Sequence, residues 1–183
     1  MSANPTFRIV SVAEYEHIPD PPGGRYELHH GELVFMTFPV RQHKDLQRRL
    51  RKLLETLLDP VGFVVHTEYG YRPSPDYEVW GADVSCVRLD RHEAIEKWLD
   101  GSPELVVEVK SASNTQTELE DKARTTLADL GAIQCWIVYP QTRTVTVFER
   151  SGSLLFELND AIPLQPLATT GHIPVSDIFE GIV

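Results

Sequence analysis

Apolar residues recur along this chain with two distinct periods. From Arg41 to Leu58, leucines stand at 46, 50, 53, 54, 57 and 58. Spacings of three and four residues place them on one stripe, which predicts a helix. Asp59-Pro60 and Gly62 mark its end. A second helix is expected over Thr117 to Leu130, closed by Gly131, with short ones over 11–19 (Ser11 as cap) and 91–99. Strand-like runs cover 63–71, 79–88, 104–110, 134–139 and 143–150. Arg25 to Leu28 and Glu32 to Thr37 read as an N-terminal hairpin turned at His29-His30-Gly31. The run Leu154 to Leu158 is hairpin-like, and Val175 to Phe179 is expected to pack back on the body. Helices interspersed with strands predict a mixed α/β sheet flanked by helices. The 183 residues suit one compact domain spanning 1–183.

The stretch Glu104-Leu105-Val106-Val107-Glu108-Val109-Lys110 breaks the usual rule for buried strands. Alternation puts Glu104, Val106, Glu108 and Lys110 on one face, and Leu105, Val107 and Val109 on the other. Buried charge needs partners or an ion. Either that face is wet and salt-bridged, or Glu108 and Lys110 line a site.

Composition removes several function classes. No apolar run is long enough to span a bilayer. No basic segment followed by an apolar one opens the chain, so a secretory signal is not expected. Cys86 and Cys135 are the only cysteines, too few for a disulfide framework or a thiolate metal site. A reducing cytoplasm is the expected location. No Gly-rich phosphate loop is present, and no Ser-His-Asp set is evident. The net charge of −10 argues against passive nucleic-acid binding. Residues 41–52, however, carry Arg41, Lys44, Arg48, Arg49, Arg51 and Lys52 against Asp45 alone. Such a stripe can guide a phosphate backbone where a metal neutralises the catalytic end.

Phosphodiester hydrolysis needs a nucleophilic water, neutralisation of phosphoryl charge, and help for the leaving oxygen. Carboxylate-held divalent ions supply much of this, and a lysine can orient the water. The chain offers Asp83 at the head of one strand and Glu108-Val109-Lys110 on another. An acid followed by Glu-x-Lys and then a helix resembles the PD-(D/E)xK nuclease superfamily. More narrowly, the chain resembles the Uma family of bacterial restriction-endonuclease-like proteins. The resemblance rests on Arg25 to Val34, His43, Ala82 to Ser85, Pro103 to Ser113, Leu119 to Lys122, Gly131 to Val138, Pro140, and Val175 to Phe179.

The resemblance implies a restriction-endonuclease-like mixed sheet and a Mg²⁺- or Mn²⁺-dependent DNA endonuclease. It implies Asp83 and Glu108 as metal ligands, with the Val109 carbonyl as a third, and Lys110 as the catalytic lysine. Glu32 and His43 match positions where such proteins turn further polar groups toward the cleft. Lys122, on the following helix, could reach a phosphate. Two departures stand out. Ala82 replaces the proline of the Pro-Asp pair, and Thr125-Thr126-Leu127 lacks an aromatic residue common there. A literal Pro75-Asp76 sits in a turn. DNA is the expected partner, and a two-fold homodimer would suit cleavage of both strands. The alternative is a noncatalytic nucleic-acid- or protein-binding module on the same fold. Local pairing would make the basic stripe and Lys122 ordinary surface. His29 and His30 read as turn residues, and Glu27 as an exposed hairpin carboxylate.

Overall fold

The computed structural model describes residues 8–95, 97–112, 114–129 and 131–182. Ser113 and Leu130, to which the sequence assigns places in a family segment and a helix end, lie outside them. In chain order the elements are α1 (Val12–Tyr15), β1 (Gly24–His29), β2 (Glu32–Thr37), α2 (Arg41–Leu58), β3 (Phe63–Arg72) and β4 (Trp80–Arg88). There follow α3 (Leu89–His92), β5 (Leu99–Asp100), β6 (Leu105–Val109), α4 (Gln116–Ala128), β7 (Gln134–Tyr139) and β8 (Thr144–Glu149). The last are β9 (Gly152–Phe156), β10 (Ala161–Pro163), β11 (His172–Pro174) and α5 (Val175–Phe179).

A seven-stranded sheet runs in the order β5-β3-β4-β6-β7-β8-β9. It is mixed: β5 lies parallel to β3 and β6 parallel to β7, and the other pairs are antiparallel. The β1–β2 hairpin stands apart as its own two-stranded sheet, bridged to the chain just before β4 through Leu28 and Val79. The hairpin turn falls at His30 and Gly31, both with positive φ.

Helices α2 and α5 pack on one face of the sheet and α4 on the other. Leu46, Leu50, Leu54 and Leu58 of α2 are fully buried against Phe63, Val65, Val84, Cys86 and the Leu105-Val107-Val109 face of β6. Burying each such leucine contributes roughly 1.5–3 kcal/mol. On the other face, Leu119, Ala123 and Leu127 of α4 meet Val106, Cys135 and Ile137. The two-faced burial explains why β6 reads as a continuous apolar run.

The ends of these helices set the phase of the site. After α2 a short 3-10 turn at Asp59–Val61 leads to Gly62 at φ 89°, a left-handed stop that glycine takes without strain. At α4 the Thr115 hydroxyl accepts from Glu118 N at 3.2 Å while the Glu118 carboxylate accepts from Thr115 N at 2.7 Å. This reciprocal cap fixes which α4 residues face the sheet.

The expected helix over 91–99 is a correction. Among the described residues of this stretch only Leu89–His92 is helical, and Leu99–Asp100 pairs instead with Tyr71–Arg72 of β3. Arg91 helps shape this region, donating to the carbonyls of Ser102 and Asp100 and to Glu104. Tertiary pairing there outweighs local helical preference.

Candidate active site

The site is built where two ladders fail. Between β4 and β6, register pairs run from Cys86↔Leu105 to Val84↔Val107 and stop. The next pair by count would be Asp83 and Glu108. Between β3 and β4, Thr67↔Val84 and Tyr69↔Ala82 are paired, but the pair between them, Glu68 with Asp83, is missing. Glu68 sits at φ 54°, an unfavourable conformation for a residue with a Cβ. Glu68, Asp83 and Glu108 therefore occupy one row across three adjacent strands.

Asp83 fills the opened gap. Its Oδ2 accepts from the backbone N of Val109 at 2.7 Å, replacing a lost ladder bond. Its Oδ1 accepts from Gln47 Nε2 at 3.0 Å and lies 2.9 Å from His43 Nε2. The His43 approach is close but poorly aligned, which leaves that buried ring nitrogen without a hydrogen bond. Gln47 also donates to Glu68. His43 and Gln47 are four residues apart, so α2 presents them on one face, in line with its buried Leu46–Leu50 stripe.

Glu108 leans the other way, toward α4. Lys122 Nζ lies 2.9 Å from Glu108 Oε1 and 4.0 Å from Glu27 Oε2, and donates to the Gly81 carbonyl at 2.7 Å. Lys122 falls in the buried stripe between Leu119 and Thr126, which is why a lysine ends up inside. The Lys122–Glu108 contact is likewise poorly aligned for a hydrogen bond. The Asp83 carboxylate is thus engaged from α2 and the Glu108 carboxylate from α4.

Glu27 closes the cluster from β1 and corrects the expectation of an exposed carboxylate: it is 2% exposed. It lies 2.9 Å from His29 Nε2 and 3.4 Å from Arg25 Nη2, and Arg25 also pairs with Glu68. Residues 25, 27 and 29 alternate onto one hairpin face, which the fold turns inward over the row.

The charges act on one another strongly. Burial pushes the Glu108 carboxyl up to about 8, with Asp83 and Glu27 adding to the rise and Lys122 opposing it. Glu27 behaves oppositely: burial would raise it, but Lys122, His29 and Arg25 hold it at about 2. For Lys122, burial works against the ammonium, and Glu108 and Glu27 more than compensate, raising its pKa. Burial also disfavours the His43 imidazolium, yet Asp83 and Glu68 prevail and shift it upward.

Among the described residues, His43, Glu68 and Asp83 form the group able to hold a metal ion, their donor atoms all within 4.8 Å of one another. One imidazole and two carboxylates, with an unsatisfied ring nitrogen, fit a divalent cation. Glu108 stands in the same row but is engaged by Lys122.

Other sequence-derived candidates fall elsewhere. Lys110 Nζ donates to the Asn114 carbonyl at 2.6 Å, in the turn after β6. Glu32 is exposed at the start of β2, in register with His29. Asp76 is exposed in a turn. Of the basic stripe, Arg49 is committed to Asp177 O and Glu180, and Arg51 to Glu55. Arg41 and Arg48 remain largely exposed on either side of Asp45. A cavity of about 550 Å³ is lined by Glu16, Arg72, Arg91, Lys97, Trp98 and Asp100 among others and shares no residue with the cluster. Glu68, Gln47 and Glu27 were not marked by the sequence. A charged residue inside a strand pattern, as at Glu68, was the available hint.

No helix among the described residues is long and apolar enough to cross a membrane. No curated protein matches the chain. Among solved structures, one described as a putative nuclease belonging to DUF820 from Anabaena variabilis ATCC 29413 is similar, with TM-score 0.81 and 18% identity, covering 95% of this chain and 99% of that one. This likeness extends the fold over nearly the whole length of both proteins. The family described as "Uma2: Putative restriction endonuclease" matches residues 12–175. That span is most of the chain, which therefore belongs to the nuclease-like Uma2 family.

Proposed function

We propose that the protein is a divalent-metal-dependent endonuclease that hydrolyses phosphodiester bonds in DNA. The observation that carries this is the row Glu68-Asp83-Glu108 with His43 on one side and Lys122 on the other. Asp83, with His43 and Glu68, would hold Mg²⁺ or Mn²⁺, and Glu108 would join once it loses its proton. A bound cation would polarise the scissile phosphate and assist ionisation of the attacking water. The mixed nitrogen and oxygen donors favour Mn²⁺ over Mg²⁺.

The remaining work falls to the chain itself. Lys122, held charged by Glu27, offers an ammonium beside Glu108 to meet developing negative charge. Lys110 lies two residues beyond Glu108 and must leave the Asn114 carbonyl before it can act. Lys122 is therefore the stronger candidate for the reaction's amine, and Lys110 the runner-up. Arg41, Lys44 and Arg48, exposed on the α2 turns around His43, would track the backbone of the bound strand.

The test is cleavage of supercoiled plasmid with Mn²⁺ or Mg²⁺, with EDTA as control. Lys122→Met should abolish cleavage, and Lys110→Ala should retain much of it. The reverse result would return the catalytic role to Lys110. If the parent cuts neither DNA nor RNA with either metal, the enzyme reading fails and the binding module remains.

A further inference from the structure

The two edges of the main sheet are treated differently. At one edge, β5 is only two residues long, and its Asp100 is paired with Arg72. A short, charged edge resists unwanted pairing. At the other edge, β9 runs Gly152-Ser153-Leu154-Leu155-Phe156, with neither a charged residue nor a proline. Leu154 and Leu155 are 67% and 59% exposed. They project from opposite faces, Leu154 beside Val147 and Leu155 beside Thr146. A cavity of about 260 Å³ at this edge is lined by Val147, Gly152, Leu154, Phe156 and Pro163 among others.

An open strand edge is matched by another strand, because its free N–H and C=O groups demand a backbone partner. We propose that this partner is β9 of a second copy, paired antiparallel about a two-fold axis at Leu154. Charge supports self-pairing. Each chain carries −10, so two copies repel across most of their surfaces, and an uncharged strand is where they can meet. In this register Leu154 faces itself, Ser153 faces Leu155, and Gly152 faces Phe156. The chain reverses at Arg150-Ser151, where Glu149 already pairs with Gly152, so the ladder spans Gly152 to Phe156. None of the five residues on either strand is charged, so no like charges oppose one another in this pairing. The pairing is isologous, as a closed dimer requires. Two strands, β7 and β8, separate β9 from β6, so the edge is remote from the acidic row, and the proposal stands whether or not the protein cuts DNA.

Light scattering on the eluting full-length protein should give twice the 20.7 kDa of one chain. The Leu154→Lys/Leu155→Lys double variant should elute at half the parent's mass. Its far-ultraviolet circular dichroism should match the parent's, since both side chains are exposed in the single chain, while its thermal midpoint should lose the parent's dependence on protein concentration. In Leu154→Cys the new thiol is the accessible one, because Cys86 and Cys135 are buried. Mild oxidation should convert that variant to a covalent dimer on a non-reducing gel. A monomeric parent overturns the proposal. So does a dimer whose mass the lysine pair leaves unchanged, or one in which Leu154→Cys fails to cross-link.

Discussion

Glu108→Gln should make the protein more stable while disabling its proposed chemistry. In the folded state burial holds the Glu108 carboxyl at about 8, against 4.5 in the unfolded chain. The folded form therefore keeps a proton that the unfolded form releases above pH 4.5. Stability falls with rising pH through the window from 4.5 to 8. At pH 7 the penalty amounts to about 3 kcal/mol, at 1.36 kcal/mol per pKa unit. Glutamine matches the protonated carboxyl in size, keeps an oxygen to place near Lys122, and cannot ionise. The gap between variant and parent should be small at pH 4, open steadily, and level off above pH 8. For a chain of this length, about 3 kcal/mol corresponds to roughly 6–12 °C in thermal midpoint. The assay is thermal or urea unfolding of both proteins, in EDTA, at half-unit pH steps. Parallel pH profiles would refute the claim that Glu108 is buried as an acid.

Three further outcomes follow from the same cluster and the core beneath it. Glu27→Gln should lose about 3 kcal/mol at pH 7, because a folded pKa of about 2 against 4.5 stabilises above pH 4.5 and ceases to as pH falls through 2; urea unfolding at pH 7 checks the loss, which should shrink in acid. Gly81→Ala places a Cβ 2.5 Å from Arg25 Nη2 and 2.8 Å from Glu27 Oε1, so it should push the hairpin carboxylate off Lys122 and lower metal-dependent cleavage more than it lowers the thermal midpoint. Leu50→Ala, in the fully buried stripe of α2, should cost about 2–5 kcal/mol by denaturant titration at neutral pH.

Local patterns account for what the chain alone determined. The spacing of Leu46, Leu50, Leu54 and Leu58 specifies a helix with one buried face, and the alternation through Leu105 to Val109 specifies a strand buried on both sides. These periods are properties of neighbouring residues, so the main helices and strands, the mixed sheet and the N-terminal hairpin follow from them. The Asp83 and Glu-x-Lys signature likewise placed the chain among nuclease-like relatives. Tertiary structure decided the membership of the candidate site. Glu68 joins Asp83 because of a register between strands and a left-handed kink, neither of which is written in a local period. Glu27 is buried because the hairpin folds over the row, whereas its own turn-flanked sequence suggests exposure. Lys122 rather than Lys110 stands beside Glu108 because the cap at Thr115 sets the rotation of α4, while Lys110, just past the end of β6, finds a nearer carbonyl in the following turn. Short-range periodicity chooses elements; the pairing and rotation of those elements chooses which charges meet.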